Sequence, residues 1–251
     1  MELINKQDYS YMIPRASFKD VKVFFLSKEL GIEPLKKVSD YPAPPPFSIL
    51  TRIAAYFPID VKNLTFMNQI HSDGIVIKNN KKPSFPTADA MITNLKGVGL
   101  AIKTADCVPI FLYDDNKKVA AAIHAGWRGT ALKIVKKVIK KLEQEFDVDV
   151  NTLYAFVGPA INQQCYEVGK DVYEHFGFLG KSKNDFFYKS KSGKFLMNLK
   201  GINVYMLENY GLDPSKIEVS DICTHCQSEL FYSYRRDREH SGRNISFIVL
   251  T

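Results

Sequence analysis

Three side chains of this 251-residue sequence carry the chemistry of a soft metal site or of a covalent catalyst: His71, Cys107 and His124. Each stands at the edge of an apolar run, in NQIHSDG, TADCVPI and VAAAIHAGWRGT, so each is expected at the mouth of a strand where a ligand can reach it. Two imidazoles and a thiolate hold zinc with a fourth position left for water, the donor set that a catalytic zinc requires. The intervals of 36 and 17 residues are too long to select that reading by themselves. Cys107 and His124 equally suit a Cys–His hydrolase, the thiol as nucleophile and the imidazole as its base, with Asp106 as orienter. The histidine–glutamate and PCxxC signatures of a cytidine-type deaminase do not occur in the sequence.

Other polar residues gather around this trio. In HAGWRGT (124–130), Gly126 and Gly129 let the chain pass close to a ligand, and Thr130 is placed to cap the helix that follows. Free amides at that turn and the guanidinium of Arg128 favour an oxyanion or phosphate. Trp127 is either a pocket wall or a core seal. Asn68 and Gln69 either recognise a base or ribose or satisfy a strand edge, the second reading being the simpler. Asp106 adjoins Cys107, and alternation points it away from the ligand, toward backbone donors or supporting groups. CTHC (223–226) has no second CxxC to complete a four-cysteine site; a structural or incidental role is expected for it, although His225 could join it in a partial metal site.

The elements that must position these residues are legible as two periods. VKVFFL (21–26) reads as a strand, and the prolines of YPAPPPFS (41–48) interrupt any continuation. TRIAAYFP reads as a short helix or buried turn, and NLTFMNQIHSDGIVIK as two short extended pieces around His71. MITN, GVGLAIKT, VPIFLYD and KVAAAIH then give four strands separated by polar or glycine turns, which imply a central sheet. From Thr130 to Phe146 the period lengthens: Leu132, Val135, Val138, Ile139, Leu142 and Phe146 form one apolar face between lysines, as in a surface helix. TLYAFVGPAI returns to strand and turn, QQCYEVGKDVYEHF starts a helix, KFLMNLKGINVYMLENYGL gives strand or loop then helix, and NISFIVL closes as a strand. The mixture predicts an α/β, or mixed α+β, fold in which packed central sheets are flanked by outer helices, as one compact domain over residues 1–251.

Composition bounds the class of protein. A hydrophobic content of 45% supports a sizeable core. No apolar run approaches the roughly 18 residues of a membrane span, and MELINKQDYSYMIPR lacks the order of a secretory signal. A cytoplasmic location, no membrane partner and reduced thiols at all four cysteines are therefore expected. The formal charge of +7 attracts nucleotides and phosphate in general, and weak nucleic-acid binding is the non-enzyme alternative. No nucleic-acid-binding motif is present and many of the aromatics sit in apolar runs, so no specific nucleic acid is expected as a partner.

The ordered set NQIHSDG, ADAMIT, KTADCVPI, AAIHAGWRGT, VGPAINQQCYEVG and CTHCQSELFYSYRRDREHSGRNISFIVL resembles the YfiH/laccase-domain family of zinc-dependent purine nucleoside phosphorylases, also described as polyphenol oxidases. The resemblance runs from about Leu64 to the C-terminus, and residues 1–63 are a divergent part of the same domain without the family's glycine-rich turn. It implies zinc held by His71, Cys107 and His124 and phosphorolysis of adenosine, inosine, guanosine or methylthioadenosine to free base and (methylthio)ribose 1-phosphate, with deamination of adenosine alongside. It brings Arg243 to the active region, with Ser233 and Arg235 as supports. Purine nucleosides and phosphate are the implied partners, and the chain is expected to be a monomer or weak homo-oligomer. Copper is accepted by the same His and Cys donors, which keeps a copper-dependent phenol oxidoreductase as an alternative. A multicopper centre, however, draws on more imidazoles than the five histidines of this chain.

Overall fold

The four strand-like runs read from the sequence lie inside two packed sheets. A computed structural model describes residues 1–34, 45–57, 59–82 and 84–251, so the first half of YPAPPPFS lies outside the described residues. In chain order the strands are β1 (Glu2–Asn5), β2 (Ser10–Ile13), β3 (Val21–Leu26), β4 (Leu64–Phe66), β5 (Ile75–Ile77), β6 (Ala90–Thr93), β7 (Gly99–Thr104), β8 (Val108–Asp114), β9 (Val119–Ala125), β10 (Tyr154–Val157), β11 (Glu167–Val168), β12 (Phe187–Lys189), β13 (Phe195–Met197), β14 (Ile217–Val219) and β15 (Asn244–Leu250). The helices are α1 (Phe47–Tyr56), α2 (Trp127–Ala131), α3 (Ile134–Phe146), α4 (Lys170–Glu174), α5 (Lys183–Phe186), α6 (Leu199–Asn209) and α7 (Tyr234–Asp237).

One sheet has the order β1-β2-β3-β15-β7-β4 and the second β14-β10-β8-β9-β6-β5, while β11-β13-β12 form a small third sheet. Pairing is antiparallel except at β4–β7, β5–β6 and β10–β14. Along β8, Val108, Ile110 and Leu112 face the helices, whereas Phe111 and Tyr113 face the first sheet. Period two thus serves two cores at once, and β8 and β9 are buried throughout. Each buried Ile or Leu there contributes about 1.5–3 kcal/mol through apolar burial, so Ile110→Ala would open a cavity against the helix layer. The third core lies on the outer face of the first sheet, where Ile49, Ile53 and Phe57 cover Phe66, Ala101 and Phe247. Helices, two sheets and the α1 layer make the mixed α/β architecture of a single compact domain. Among the described residues no helix is long and apolar enough to cross a membrane.

The expected helix from Thr130 to Phe146 is corrected in one respect. It is two helices, α2 and α3, broken at Leu132 and Lys133, where Lys133 adopts φ 60°. Leu132 is therefore half-exposed, while Val135, Val138, Ile139 and Leu142 are buried as the period requires. Gly126, rather than Thr130, is the N-cap residue of α2. Thr130 is instead buried inside α2, where its hydroxyl accepts from Asn203 Nδ2 at 3.1 Å and ties α2 to α6. The break separates α2 from the amphipathic α3, and it is α2 that carries Trp127 and Arg128. QQCYEVGKDVYEHF likewise divides, into a 3₁₀ turn at Gln163–Cys165, β11 and α4.

Candidate metal centre

The loop that carries His71 is shaped by a carboxylate. Asp89, fully buried just before β6, accepts hydrogen bonds from the backbone N–H groups of Ile70, His71 and Ser72 at 3.3, 3.0 and 2.6 Å, and from Ser72 Oγ at 2.7 Å. Three successive amides converging on one carboxylate hold His71 at φ 60°, a left-handed conformation uncommon outside glycine. The same carboxylate accepts from His124 Nδ1 at 2.8 Å. That bond fixes the imidazole's orientation and leaves Nε2 as its free ligand atom, the arrangement in which a carboxylate supports a metal-binding histidine. Burial alone would raise the Asp89 carboxyl; its bonds from His124 and Ser72 outweigh this and hold it below the usual range.

Cys107 immediately precedes β8, which runs beside β9 and pairs Pro109 with His124. Its Sγ lies 3.9 Å from His71 Nε2, and one ligand atom each from His71, Cys107 and His124 fall within 4.8 Å of one another. Burial opposes ionisation of the thiol, but the charge and hydrogen bonds of His124 and His71 bring it down to about 6. Burial equally opposes charging of His124, yet Cys107 and Asp89 lift it to about 9. A cavity wall that keeps a thiolate next to two imidazoles is electronically suited to a soft or borderline divalent cation. Gly126 is required by closeness and not by its backbone angles: a Cβ there would stand 3.0 Å from His71 Cδ2 and 3.1 Å from Cys107 Sγ.

The trio faces a cavity of about 610 Å³. Asn68, Gln69, Asp106, Arg128 and Arg243 line it as well, so the residues singled out in the sequence converge on one space. Lys103, Arg235 and Arg238 add to a lining that is strongly cationic. Burial first, and then the neighbouring Arg243, lower Lys103 to about 8. Asp106, the one carboxylate among the described residues of the lining, is committed: it accepts from Thr224 Oγ1 at 2.7 Å and from Arg235 N at 2.6 Å. Gln69 is also committed, its amide exchanging bonds with Lys103 O at 2.7 Å and Lys103 N at 2.9 Å, and Asn68 Nδ2 donates to Thr87 Oγ1 at 3.3 Å. Arg243 Nη1 donates to the carbonyls of Ser241 and Gly242. Ser233 is buried and caps α7 through Arg236 N, and Arg235 lies over the Tyr166 ring at 5.1 Å. Arg128 is exposed and lies 4.4 Å over Trp127, which also lines the cavity.

Residues 49–251 match the sequence profile of the family described as multi-copper polyphenol oxidoreductase laccase. The chain belongs to that family. Among its relatives, a purine nucleoside phosphorylase of Clostridium acetobutylicum is 36% identical over 76% of this chain and 78% of its own length. The adenosine deaminase RL5 of an unknown prokaryotic organism is 31% identical over 78% of each chain. The crystal structure of the hypothetical protein YfiH from Bacillus licheniformis superposes with a TM-score of 0.83 at 28% identity, covering 92% of this chain and 93% of that one. The family description evokes several coppers, but the donors here do not assemble such a centre. Of the five histidines, His175 packs on Trp127, His225 belongs to a second sulfur cluster with Cys165 and Cys226, and His240 joins neither group.

Reading the sequence for chemistry missed Asp89, Lys103, Tyr166 and Arg238. Asp89 was visible only as the acidic residue of ADAMIT, where it looks like a turn residue before a strand. Its role depends on three amides and an imidazole that reach it from loops and strands 17 to 35 residues away. Lys103 carried a fairer signal, as a lysine near the end of the otherwise apolar GLAIKT.

Proposed function

We propose that this chain is a zinc-dependent purine nucleoside phosphorylase, cleaving adenosine, inosine, guanosine or methylthioadenosine with phosphate, and that the same pocket deaminates adenosine. The observation that carries the reading is a three-donor cluster facing a cationic cavity of nucleoside size. The 30–38% identity to purine nucleoside phosphorylases supports it, and the similarity to an adenosine deaminase supports the second reaction.

His71, Cys107 and His124 fit zinc by number, softness and mutual distance, and would hold it. Bound there, zinc supplies Lewis acidity, which stabilises charge on an oxygen or a purine ring. The remaining work falls to the chain. Asp89 keeps His124 Nδ1 occupied and His71 in its left-handed turn, so the donors are organised before anything binds. The cations Lys103, Arg128, Arg238 and Arg243 attract phosphate and hold it near the ribose. In phosphorolysis a phosphate oxygen forms a bond to C1′ as the bond from C1′ to the purine nitrogen breaks. The electron pair leaves with the base, which takes up a proton. In deamination water adds at C6 and ammonia departs. Trp127 and Tyr166 offer aromatic walls for a purine. Asp106 acts by position, holding Arg235 N and Thr224 in place, because both its oxygens are occupied.

The test is inosine with and without phosphate, on metal-loaded protein, with products identified. Hypoxanthine and ribose 1-phosphate are expected only with phosphate, and hypoxanthine accumulation should stop on chelation and return with zinc. Absence of both products from a folded, zinc-loaded sample would remove the assignment. Acyl-group hydrolysis by metal-free protein would favour the Cys–His hydrolase in its place.

A further inference from the structure

A second group of donors lies outside the cavity. Cys165, at the end of a 3₁₀ turn, and His225 and Cys226, in the CTHC turn, each present a ligand atom within 4.8 Å of the others. Cys165 Sγ and Cys226 Sγ are 3.3 Å apart. Cys223, three residues before Cys226, adjoins the group, and its thiol interacts with those of Cys165 and Cys226. The partner that CTHC lacks in the sequence is therefore a lone cysteine 61 positions before Cys226.

The backbone around these residues is already arranged for thiolates. Cys223 Sγ accepts from Asn162 N at 3.3 Å. An amide that donates to the first sulfur of a CxxC stabilises charge on that sulfur. The turn is held from both sides: Thr224 N donates to Ala160 O at 3.2 Å, Gln227 N to Cys223 O at 3.0 Å, and Arg236 Nη1 to the carbonyls of Thr224 and His225. Three thiolates and a neutral imidazole around a divalent cation leave one net negative charge. The Lys200 ammonium is fixed nearby by Ser220 O at 2.7 Å and by Asn162 Oδ1 and Ile222 O at 3.1 Å, and its charge interacts with Cys223. Tetrahedral zinc–sulfur bonds of about 2.3 Å put sulfurs about 3.8 Å apart, and the Cys165–Cys226 separation of 3.3 Å lies nearer to that than to a covalent bond. A disulfide would instead need the Cys165–Cys226 pair to close to about 2.05 Å and an oxidant to take two electrons.

We propose that Cys165, Cys223, His225 and Cys226 form a second, closed zinc site that clamps the Gln163–Cys165 turn to the CTHC turn. None of the four lines the cavity. Their neighbours do: Tyr166 follows Cys165, and Thr224, between two of the ligands, donates to Asp106 beside Cys107. The site positions the pocket wall and takes no part in the reaction.

Metal analysis of the full chain, purified in zinc-buffered medium, tests this independently of any activity. Two zinc ions per chain are expected in the wild type, one in Cys107→Ala, one in Cys226→Ser and none in the double variant. Cobalt loaded into Cys107→Ala should give the intense thiolate-to-metal absorption of a sulfur-rich tetrahedral site. Should Cys226→Ser fold poorly, thiol labelling of the native wild type decides: Cys165 and Cys226 are protected until a chelator is added. Cys107→Ala protein with no metal, equal labelling before and after chelation, or a native mass lower by two hydrogens would each overturn the proposal.

Discussion

The two sulfur–imidazole clusters use the same residue types for different work, and the difference lies in donor number and in what stands behind the donors. Around His71, Cys107 and His124 there are three donors, a cavity in front and a buried carboxylate, Asp89, behind. Around CTHC the proposed site has four donors, three of them clustered and Cys223 beside them, with no contribution to that cavity and the Asn162 amide behind the sulfur of Cys223. An incomplete ligand set leaves room for chemistry, whereas a complete one leaves only structure. The supporting shell follows the same division. A carboxylate raises the basicity of an imidazole at the open site, while an N–H donor lowers the cost of crowded thiolates at the closed one.

The sharpest way to break the comparison is to remove a donor from the open cluster. His71→Ala, at an exposed position, should leave the fold intact and abolish nucleoside turnover, a loss larger than the ~10–100-fold typical of a supporting residue; circular dichroism and turnover check it together. Asp89→Asn comes next. It keeps the shape but weakens the hold on His124 and on three amides, and zinc affinity read by competition with a chelator should fall by about 10–100-fold. Gly126→Ala inserts a methyl group where 3.0 and 3.1 Å contacts to His71 and Cys107 await it, so a smaller loss of zinc affinity is expected, without loss of the second metal.

At the closed cluster the same operation should read out as stability. With free zinc a hundredfold above its dissociation constant, Cys226→Ser should cost about 3 kcal/mol, or roughly 6–12 °C in melting temperature, and leave most turnover in place. The smallest effect belongs to a carboxylate outside both clusters. Glu218 accepts from Arg15 N and Ala16 N and pairs with the N-terminal ammonium at 3.2 Å. Burial would raise its carboxyl, but these partners lower it from 4.5. A lowered folded-state value means that its stabilisation is complete above 4.5 and is lost as pH falls through the folded value. Glu218→Gln should thus cost about 1–2 kcal/mol near neutral pH, flatten the acid limb of the stability curve and leave the metal content unchanged.

Much of this organisation was legible in the sequence because it is local. VKVFFL, GVGLAIKT, VPIFLYD and KVAAAIH are strands since short apolar runs of this kind suit burial on two faces, and Cys107 and His124 fall at the ends of two of them. The helix break at Leu132–Lys133 was not legible, because the apolar period runs on across it while Lys133 turns left-handed and Thr130 is tied to Asn203. Asp89 and Cys165 were hidden for a related reason. Each is a single residue in an ordinary local context, and each gains its meaning from partners brought by the tertiary fold.

The central claim is that the open cluster reacts and the closed cluster holds. Its most direct measurement is turnover of inosine with phosphate by Cys107→Ala and Cys226→Ser, each folded and each with its zinc content determined. Cys226→Ser with its remaining zinc should release hypoxanthine and ribose 1-phosphate, while Cys107→Ala with its own remaining zinc should release neither. Turnover by zinc-bearing Cys107→Ala, or none by folded, zinc-bearing Cys226→Ser, would contradict it.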